Sequence, residues 1–462
     1  MGIYGALTTA VSGLQAQSFA LENISGNIAN SQTVGYKRTD TSFADLVLGG
    51  DMNVRRQVAG SVQAFSRSTN DVQGTLAASS SSTSIGIRGS GFFLVQDQTG
   101  EIDGKPTFDS ANLYTRRGDF EVDRNGYLVN GAGYFLMGAK LDPATGNAVG
   151  STNEVIQLTK DFMPATATTA IDYRANLASV PQTTNYQAGD PTSWLLDPDI
   201  TGDVTGARSE EFLASTISGD AVTVYDVKGG AHDVQFRWGK VANEDSSATP
   251  AVKDSWALFY MSNNEAGADD VAWTRVDADS STGGQQNYEF DDKGFLTKPS
   301  NGIVTLNDLT IDGANLGAIA LNHGTALTQF ADTSGSAEVK QLTQDGASSG
   351  SITSIEIADG GLVNATYSNG KSRPLYRIPV VSFYAENRLA PVDGGAYAAT
   401  IASGQPLEDA NAEIMGQAIE QSNVDIADEF TKMIVTQQAY SANTRVVSTS
   451  DSMMQDALNM IR

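Results

Sequence analysis

Both ends of the chain carry apolar residues at alternating spacings of four and three, and no other feature limits the possible folds so strongly. Such a stripe predicts an amphipathic helix that needs a partner surface. All twelve prolines of the 462 residues fall between Pro106 and Pro406, so both ends lack the residue that breaks helices. The ends therefore predict helices, and the middle predicts a different structure.

The N-terminal stripe has eight positions, and seven of them are apolar: Ile3, Leu7, Ala10, Leu14, Gln17, Leu21, Ile24 and Ile28. Gly5, Gly13 and Gly26 lie within it, and each costs about 1 kcal/mol relative to alanine. Burial of each Leu or Ile returns about 1.5–3 kcal/mol only where another surface covers it. We therefore expect this helix to pack against the C-terminal helix and neighbouring subunits. An ordinary intramolecular two-helix stem is the alternative.

The C-terminal stripe has eleven positions, eight of them apolar: Ile426, Phe430, Met433, Gln437, Tyr440, Thr444, Val447, Asp451, Met454, Leu458 and Ile461. Before it, Ser422 and Asp425 form an S-x-x-D signature, in which the hydroxyl is expected to cap the helix. No Gly or Pro follows Gly416. The segment thus predicts a helix of about 40 residues, about 60 Å long.

Between the ends the apolar period changes from that of a helix to that of a strand. Val234, Phe236 and Trp238 alternate with polar residues, as in a half-buried strand. The predicted fold class is mainly β with α-helical termini: the N- and C-terminal helices pair as a coiled-coil-like inner domain, and antiparallel β-domains are inserted between them.

Two short segments of the middle resemble each other, FEVDRNGYL at 120–128 and YEFDDKGFL at 288–296. Gly126 and Gly294 would supply the positive φ that tight hairpin turns require. The middle is therefore expected to contain at least two β units. The segment AASSSSTS at 77–84 predicts a low-complexity loop or linker.

Several fragments resemble ligand-binding motifs but fit turns better. The GKS sequence at 370–372 lacks the upstream glycine of a phosphate-binding loop, because Ala365 stands there. The glycines at 86–91 have the wrong order for a dinucleotide fingerprint. Asp123 and Asn125 suggest a calcium loop, but Ala132 occupies the position of the bidentate Glu. We expect a hairpin turn or bulge in each case.

The sequence predicts no catalytic, cofactor-binding or metal site. Cysteine is absent, which excludes disulfides, thiolate nucleophiles and Cys-based zinc sites. His232 and His323 are the only two histidines, and each is expected to be a surface or turn histidine. An enzyme is therefore not expected.

The net charge and the targeting signals limit the binding partners and the cellular locations that the sequence predicts. The formal charge is −25, from 54 acidic and 29 basic residues, which disfavours nucleic-acid binding. The first basic residue is Lys37, so a cleaved secretory signal is not expected, and no apolar run is long enough for a transmembrane helix. The chain is expected to be cytoplasmic or exported without a cleaved signal.

Longer segments at both ends resemble the rod and hook axial proteins of the bacterial flagellum. At residues 7–40 the chain contains ANSQTVGYK, similar to the family signature ANxxTxGYK, and at 416–462 it contains SNVD followed by QQAYSAN. Segments 89–95 and 114–138 resemble the shared β-domain core. The family-motif residues that the resemblance implies are Asn30, Gly35, Tyr36, Ser422, Asn423, Val424, Asp425 and Asn443.

The middle of the chain distinguishes hook from rod proteins within this family. Segments 224–238, 321–331 and 351–383 look like those of hook proteins, and the length also suits a hook protein. Ser84 stands where an acidic residue is usual, and residues 165–220 match no family segment. The latter are expected to be an elaboration of the outer domain.

The resemblance implies three parts. Residues 1–70 and 419–462 would form the helical inner polymerisation domain with a connecting segment, 71–160 and 342–418 the first β-domain, and 161–341 the outer β-domain or domains. The expected polymerisation residues are Leu7, Val11, Leu14, Leu21, Ile24, Ile28, Ile426, Phe430, Met433, Tyr440, Val447, Met454 and Leu458.

The resemblance also implies a function and partners. The chain would polymerise with itself into a curved tube, the flagellar hook, which acts as a universal joint between rod and filament. Expected partners are the distal rod protein, the hook cap protein, the hook–filament junction proteins and the flagellar type III export machinery, with no cofactor, nucleic acid or membrane insertion. The expected location is extracellular, in the flagellum. A flagellar rod subunit and a secreted β-rich adhesin remain alternatives.

Overall fold

The computed structural model of the chain describes residues 3–45, 61–142, 145–150, 152–158, 162–245, 247–249, 251–279, 285–408 and 412–460. Contacts divide the chain into two units. Unit 1 comprises residues 1–161, 352–366 and 372–462, and unit 2 comprises residues 162–351 and 367–371.

The described residues contain three α-helices: α1 (Ile3–Ala29), α2 (Ser209–Ala214) and α3 (Ile426–Met460). The helices predicted at the two ends are confirmed, and they pack against each other within unit 1. The 35 described residues of α3 correspond to about 52 Å at 1.5 Å per residue. Among the described residues, no helix combines the length and apolar character that crossing a membrane would require.

Unit 1 begins with these strands: β1 (Thr39–Asp45), β2 (Val62–Ser68), β3 (Leu76–Ala78), β4 (Ile85–Arg88), β5 (Phe92–Gln96), β6 (Gln98–Ile102), β7 (Lys105–Phe108), β8 (Leu113–Thr115), β9 (Phe120–Val122), β10 (Leu128–Asn130), β11 (Phe135–Lys140) and β12 (Glu154–Val155).

Unit 2 contributes these: β13 (Ala170–Asn176), β14 (Val204–Thr205), β15 (Ile217–Tyr225), β16 (Ala231–Ala242), β17 (Ser255–Met261), β18 (Val271–Arg275), β19 (Tyr288–Phe290), β20 (Leu296–Lys298), β21 (Ile303–Leu306), β22 (Thr310–Ile311), β23 (Ala314–Asn315), β24 (Ile319–Asn322) and β25 (Glu338–Gln344).

The chain then returns to unit 1 with these: β26 (Ile352–Ile357), β27 (Leu362–Tyr367), β28 (Ser372–Arg377), β29 (Val380–Ser382), β30 (Ala390–Val392), β31 (Ala396–Ala398), β32 (Leu407–Glu408), β33 (Glu413–Gly416) and β34 (Ala418–Glu420). The mainly β fold class with helical termini is confirmed.

The main sheet of unit 1 has the order β26-β27-β28-β11-β5-β8-β31-β30, with β9, β10, β12, β29 and β32 attached beside this path. Its core includes the buried rings of Phe93 and Phe120, which meet edge to face. Strands that precede unit 2 in the sequence pair directly with strands that follow it: β3 pairs with β34, and β4 pairs with β33. These pairs bring the two helix-bearing ends of the chain to the same place.

Unit 2 has a seven-stranded sheet, in which β14-β18-β17-β16-β15 forms the path and β19 and β20 join at β17, and a four-stranded sheet of order β21-β24-β13-β25. Trp238 and Trp256 are fully buried in its core. Along β16, Val234, Phe236 and Trp238 are buried whereas Gln235 is exposed, which confirms the predicted alternation. Unit 2 thus has a core of its own.

The two similar segments form the same hairpin turn in different units. Asp123 Oδ1 accepts hydrogen bonds from the backbone amides two and four residues later, and Asp291 Oδ1 does the same. Gly126 has φ +84° and Gly294 has φ +81°, as predicted. The Asp side chain therefore holds the turn, and the hairpin reading of the calcium-like segment is confirmed. The segment 367–371 is also a turn, with Gly370 at φ +76°.

The prediction of a loop at 77–84 is correct for residues 79–84, which form neither helix nor strand, whereas residues 76–78 form β3. The serines of this loop are held by the fold, so it is not a linker. Ser82 Oγ donates to Ile355 O at 2.7 Å, and Thr83 Oγ1 donates to Phe120 O at 2.6 Å. Ser84 is buried and bonded to Ser79. Low complexity does not imply a free linker here because short hydroxyl side chains also bond to backbone groups.

The expectation of a surface position is wrong for His323, which is fully buried in unit 2, although it does begin a turn, since Ala326 N donates to His323 O at 3.1 Å. Its Nδ1 lies 3.0 Å from Tyr173 O, and because a carbonyl only accepts, Nδ1 carries the hydrogen. The Tyr288 hydroxyl, 3.1 Å from Nε2, then donates. His323 is a core residue with both nitrogens bonded. His232 lies on β16, 3.6 Å from a carboxylate oxygen of Asp226.

We predict that unit 2 loses stability in mild acid because of His323. Burial lowers the pKa of His323 from 6.5 to about 4, so between these values only the unfolded state binds the proton. The free energy of unfolding should therefore fall by about 3 kcal/mol as the pH drops from 6.5 to 4. All four tryptophans lie between 194 and 273, so their fluorescence during urea unfolding reports on unit 2.

The variant His323→Gln should lose most of this pH dependence, because Gln does not titrate. His232→Gln is the matched control and should retain it. An unchanged slope of unfolding free energy against pH in His323→Gln would contradict the assignment.

Candidate assembly site

α1 and α3 form an antiparallel pair whose register is fixed by two contacts. Asn27 Nδ2 donates to Glu429 Oε2 at 3.1 Å, and a Cβ on Gly13 would lie 2.9 Å from Asn443 Nδ2. The two α1 residues are 14 positions apart, and so are the two α3 residues. The same register places Ala20 opposite Thr436, and both are buried.

The residues along this seam recur every seven positions and are small or polar. On α1 they are Ala6, Gly13, Ala20 and Asn27, and on α3 they are Glu429, Thr436, Asn443 and Ser450. Small side chains let the two backbones approach closely, and a period of seven keeps one face toward the partner. The apolar stripes predicted from the sequence do not include this face, because its residues are small or polar.

The predicted polymerisation residues fall into three classes of burial. On α1, Ile24 is buried, and on α3 none of them is. The half-buried ones are Leu7, Leu14, Leu21, Ile28, Met433, Val447 and Met454. The exposed ones are Val11, Ile426, Phe430, Tyr440 and Leu458. The predicted stripe of α3 therefore overlaps only partly with the seam to α1. Ile461 lies outside the described residues.

The exposed residues leave a large apolar surface on α3. Phe430 is 50% exposed and Leu458 is 63% exposed. The complete set on this helix is Ile426, Phe430, Ile434, Val435, Tyr440, Val446, Met453, Leu458 and Met460. Nothing among the described residues covers these side chains, although α1 covers the seam face. Exposed apolar sets of this size mark interaction surfaces.

Polar bonds fix the base of the helix pair to the antiparallel strand pair β1–β2. Asn27 Oδ1 accepts from Thr39 N at 2.9 Å and from the Tyr36 hydroxyl at 3.3 Å. Lys432 Nζ lies 2.6 Å from Glu429 Oε1 and 3.4 Å from Asp40 Oδ1. The base of the helices is thus tied to the first strand after α1.

A buried ion cluster lies beside this base. Glu420 Oε1 is 2.5 Å from Lys37 Nζ, and its Oε2 is 3.0 Å from Arg116 Nη1. All three side chains are buried. Gly74 N also donates to Glu420 Oε1 at 2.7 Å. One carboxylate thus joins segments around residues 37, 74, 116 and 420.

The ion cluster contains two basic side chains and one carboxylate. Burial and the charges of the cluster shift the pKa of Lys37 and of the nearby Glu386. Burial lowers the pKa of Lys37 more than the carboxylate of Glu420 raises it. Arg116 Cζ lies 5.4 Å from the ring centroid of Phe92, a cation–π contact. Glu386 adds a second carboxyl whose pKa is raised by burial and lowered by Arg116, with a net increase.

The family-motif residues of the first segment make contacts that explain the motif. Gly35 N donates to Glu420 O at 2.8 Å, and Gly35 has φ +68°. A Cβ at this position would lie 2.7 Å from Arg117 N, so only glycine fits. Asn30 closes the end of α1, since its Nδ2 donates to Gly26 O at 3.0 Å.

The second segment, SNVD, holds the start of α3. Asn423 Oδ1 accepts from Arg38 N at 2.7 Å, and Asn423 Nδ2 donates to Val72 O at 3.1 Å. Val424 is half-buried and donates its amide to Ser422 Oγ at 3.3 Å.

The expected cap at Ser422 is wrong in detail. Asp425 is the capping residue, because its Oδ1 accepts from Ala427 N at 2.8 Å and from Asp428 N at 3.2 Å. A carboxylate at this position also interacts favourably with the helix dipole. The signature placed the start of the helix correctly but assigned its cap to the wrong residue.

The contacts of unit 1 and the exposed surface of α3 support a role in assembly. Among the described residues, no group of three or more His, Asp or Glu side chains could hold a metal ion. The buried charges of unit 1 are used in contacts between chain segments, and the apolar surface of α3 is open.

Comparisons with known proteins agree with this geometry. Four family models match: Flagella basal body rod protein at residues 7–37, Flagellar hook protein FlgE/F/G D1 domain at 86–169, Flagellar basal body protein FlaE D2 domain at 212–347, and Flagellar basal body rod FlgEFG protein C-terminal at 415–460.

Full-length relatives share one name. The chain is 31% identical over 470 residues to a flagellar hook protein FlgE of Brucella suis biovar 1, covering 100% of both chains. It is 28% identical over 463 residues to the protein of that name from Salmonella typhimurium, covering 98% of both. A crystal structure of Helicobacter pylori flagellar hook protein FlgE2 aligns with 75% of this chain and 100% of that one, at TM-score 0.47 and 15% identity.

We predict that Gly13→Ala fails to give the stabilisation that alanine normally brings to a helix. The gain of about 1 kcal/mol should be offset because the new Cβ displaces the Asn443 side chain. Thermal unfolding followed by circular dichroism at the helical band measures the effect. Gly26→Ala is the matched control, since a Cβ there meets nothing within 4 Å, and it should stabilise.

The double variant Gly13→Ala/Asn443→Ala tests the cause. Once the Asn443 amide is removed, Gly13→Ala should give the normal stabilisation that alanine brings to a helix. Equal stabilisation by Gly13→Ala and Gly26→Ala in the wild-type background would refute the close approach at this point.

We predict that Glu420→Gln destabilises unit 1 by about 3–5 kcal/mol, because Lys37 and Arg116 then remain buried without an anion. Chemical unfolding followed by circular dichroism measures it. Glu413→Gln is the control: Glu413 is 3.6 Å from Arg88, both side chains are exposed, and the change should stay within about 1 kcal/mol. Similar losses of stability in the two variants would contradict the proposed role of the ion cluster.

Proposed function

The chain belongs to the flagellar hook protein family, whose members are structural subunits of the hook, and we propose that α1 and α3 carry its polymerisation surface. It is accordingly part of the flagellum outside the cell, where hook proteins polymerise. The proposal assigns the contacts between copies to named residues.

The open apolar surface of α3 is the observation that carries this proposal. Phe430, Ile434 and Leu458 are exposed on a helix whose opposite seam is already filled by α1. Each such side chain gains about 1.5–3 kcal/mol when fully buried. Nine such side chains, distributed along the 35 residues of α3, favour burial against other apolar surfaces, and further copies of the chain supply them.

We also propose the three-part division predicted from sequence. The helical part (1–70 and 419–462) and the first β-domain (71–160 and 342–418) correspond approximately to unit 1, and the outer part (161–341) to unit 2. The ion cluster of Lys37, Arg116 and Glu420 supports the first two parts acting together, because it joins residues from both.

The proposed mechanism separates stiffness from flexibility. Helix packing resists twist because a close seam such as that between Gly13 and Asn443 cannot slide without clashes. The polar, acidic surface of the β-domains suits contacts that break and reform as the tube bends and transmits torque. A curved polymer with both properties would act as a universal joint.

Export without a cleaved signal peptide, through the flagellar type III machinery, is part of the proposal. The location of hook proteins in the flagellum outside the cell supports export. The distal rod protein, the hook cap protein and the hook–filament junction proteins are the proposed partners beyond further copies.

The substitution Phe430→Ser tests the polymerisation surface. It should raise the protein concentration needed for assembly at least tenfold, about 1.4 kcal/mol, because the side chain is buried only in the polymer. Sedimentation and electron microscopy of purified protein measure assembly. Val227→Ser, at a position in unit 2 that is 79% exposed, is the control and should assemble normally.

The stability of the monomer should be unchanged in both variants, which separates assembly from folding. Assembly of Phe430→Ser at the wild-type concentration would contradict the proposal.

A further inference from the structure

Unit 1 displays a second exposed apolar feature, away from the helices in sequence. Tyr384, just after β29, is 89% exposed, and Ile401, just after β31, is fully exposed. We call residues 383–389 and 399–404 together the Tyr384–Ile401 knob. No part of it belongs to the polymerisation surface proposed above.

The first loop of the knob is anchored in the core. The ring of Phe383 lies 4.7 Å from that of Tyr114 and 6.2 Å from that of Phe92, centroid to centroid. Leu389, at the other end of the loop, is buried in the same cluster. The loop between these two anchors is therefore held at both ends.

The second loop is fixed by a fully buried serine. Thr400 N donates to Ser403 Oγ at 2.9 Å, and Ser403 N donates to Thr400 Oγ1 at 3.0 Å. Two hydrogen bonds join the second loop to the first. Thr400 Oγ1 donates to Arg388 O at 2.8 Å, and Ala385 N donates to Ser403 O at 3.3 Å. The knob is one ordered projection.

An ordered projection with large apolar side chains is well suited to binding. Little conformational entropy remains to be lost when it docks, because both loops are already fixed. Tyrosine is also enriched among the residues that dominate binding energy. Neither side chain has a structural role that would explain its exposure, since the anchors of the knob are Phe383, Leu389 and Ser403.

The knob is continuous with the base of the helix pair. Asn70 N donates to Asn387 Oδ1 at 2.7 Å, and Asn70 Nδ2 donates to Glu386 O at 2.9 Å. Asn70 closely follows β2, which packs on α1, and Val72 beside it is exposed. The knob therefore extends the surface that the proposed function assigns to contacts between copies.

We propose that the Tyr384–Ile401 knob is received by a second copy of this chain, on a surface other than that copy's own knob. This inference rests on the proposed function, because polymerisation supplies the second copy. A knob-to-knob contact would be isologous and would close into a dimer, whereas an extending polymer requires two different surfaces to meet.

The double variant Tyr384→Ser/Ile401→Ser provides the first test. It should raise the concentration needed for assembly at least tenfold, while circular dichroism shows unchanged thermal unfolding of the monomer because both side chains are exposed. Val227→Ser is again the control. Normal assembly of the double variant would overturn the inference.

Comparison with Phe430→Ser distinguishes this inference from the proposed function. If Phe430→Ser blocks assembly and the double variant does not, only the knob inference fails. If Phe430→Ser assembles normally, the helical polymerisation surface itself is wrong.

Photo-cross-linking provides the second test. With p-benzoylphenylalanine in place of Tyr384, irradiation of the assembled polymer should join two chains, and mass spectrometry should place the linked residue outside 383–404. A link between two knobs, or the absence of any product joining two chains, would refute the proposal.

Discussion

The buried carboxylate of Glu420, between the ammonium of Lys37 and the guanidinium of Arg116, is the interaction on which the arrangement of unit 1 depends. The three residues are far apart in sequence: Lys37 precedes β1, Arg116 follows β8, and Glu420 is the last residue of β34. A buried ion cluster contributes little net stability, since desolvation offsets attraction, but an incomplete one is costly. The chain therefore forms this junction only when the segments from both ends and the β-domain meet in one geometry.

The junction lies beside both terminal helices, since Lys37 follows α1 and Glu420 precedes α3, and the faces of α3 differ in composition. One face of α3 carries small and polar residues, including Thr436 and Asn443, and packs closely on α1. The remaining surface carries large apolar residues such as Phe430 and Leu458, which stay exposed. In the assembly that we propose, close packing inside the subunit and apolar contact between subunits use different faces. This division would allow a folded subunit to remain competent for assembly.

Unit 2 has a separate core and contains the same kind of side-chain hydrogen bonds to the backbone as unit 1. The turn at Asp291 repeats the turn at Asp123 in unit 1, with the same side-chain bonds to the backbone. His323 is buried with both ring nitrogens bonded, and neighbouring aromatic rings surround it. Unit 2 thus has a core of its own, whereas the exposed apolar surface of α3 and the Tyr384–Ile401 knob of unit 1 are the surfaces that we propose become buried in a polymer.

The sequence by itself determined the elements that depend on local order: the two terminal helices from their apolar period, the strand at Val234 from its alternation, and the hairpins at Gly126 and Gly294 from their turn residues. It also indicated the family, because the terminal motifs are long. The tertiary structure decided which face of α3 meets α1, the burial of His323 and the serine-rich segment, and the pairing of Glu420 with Arg116. These features depend on contacts between residues distant along the chain, and a local pattern carries no information about which distant residue will lie opposite.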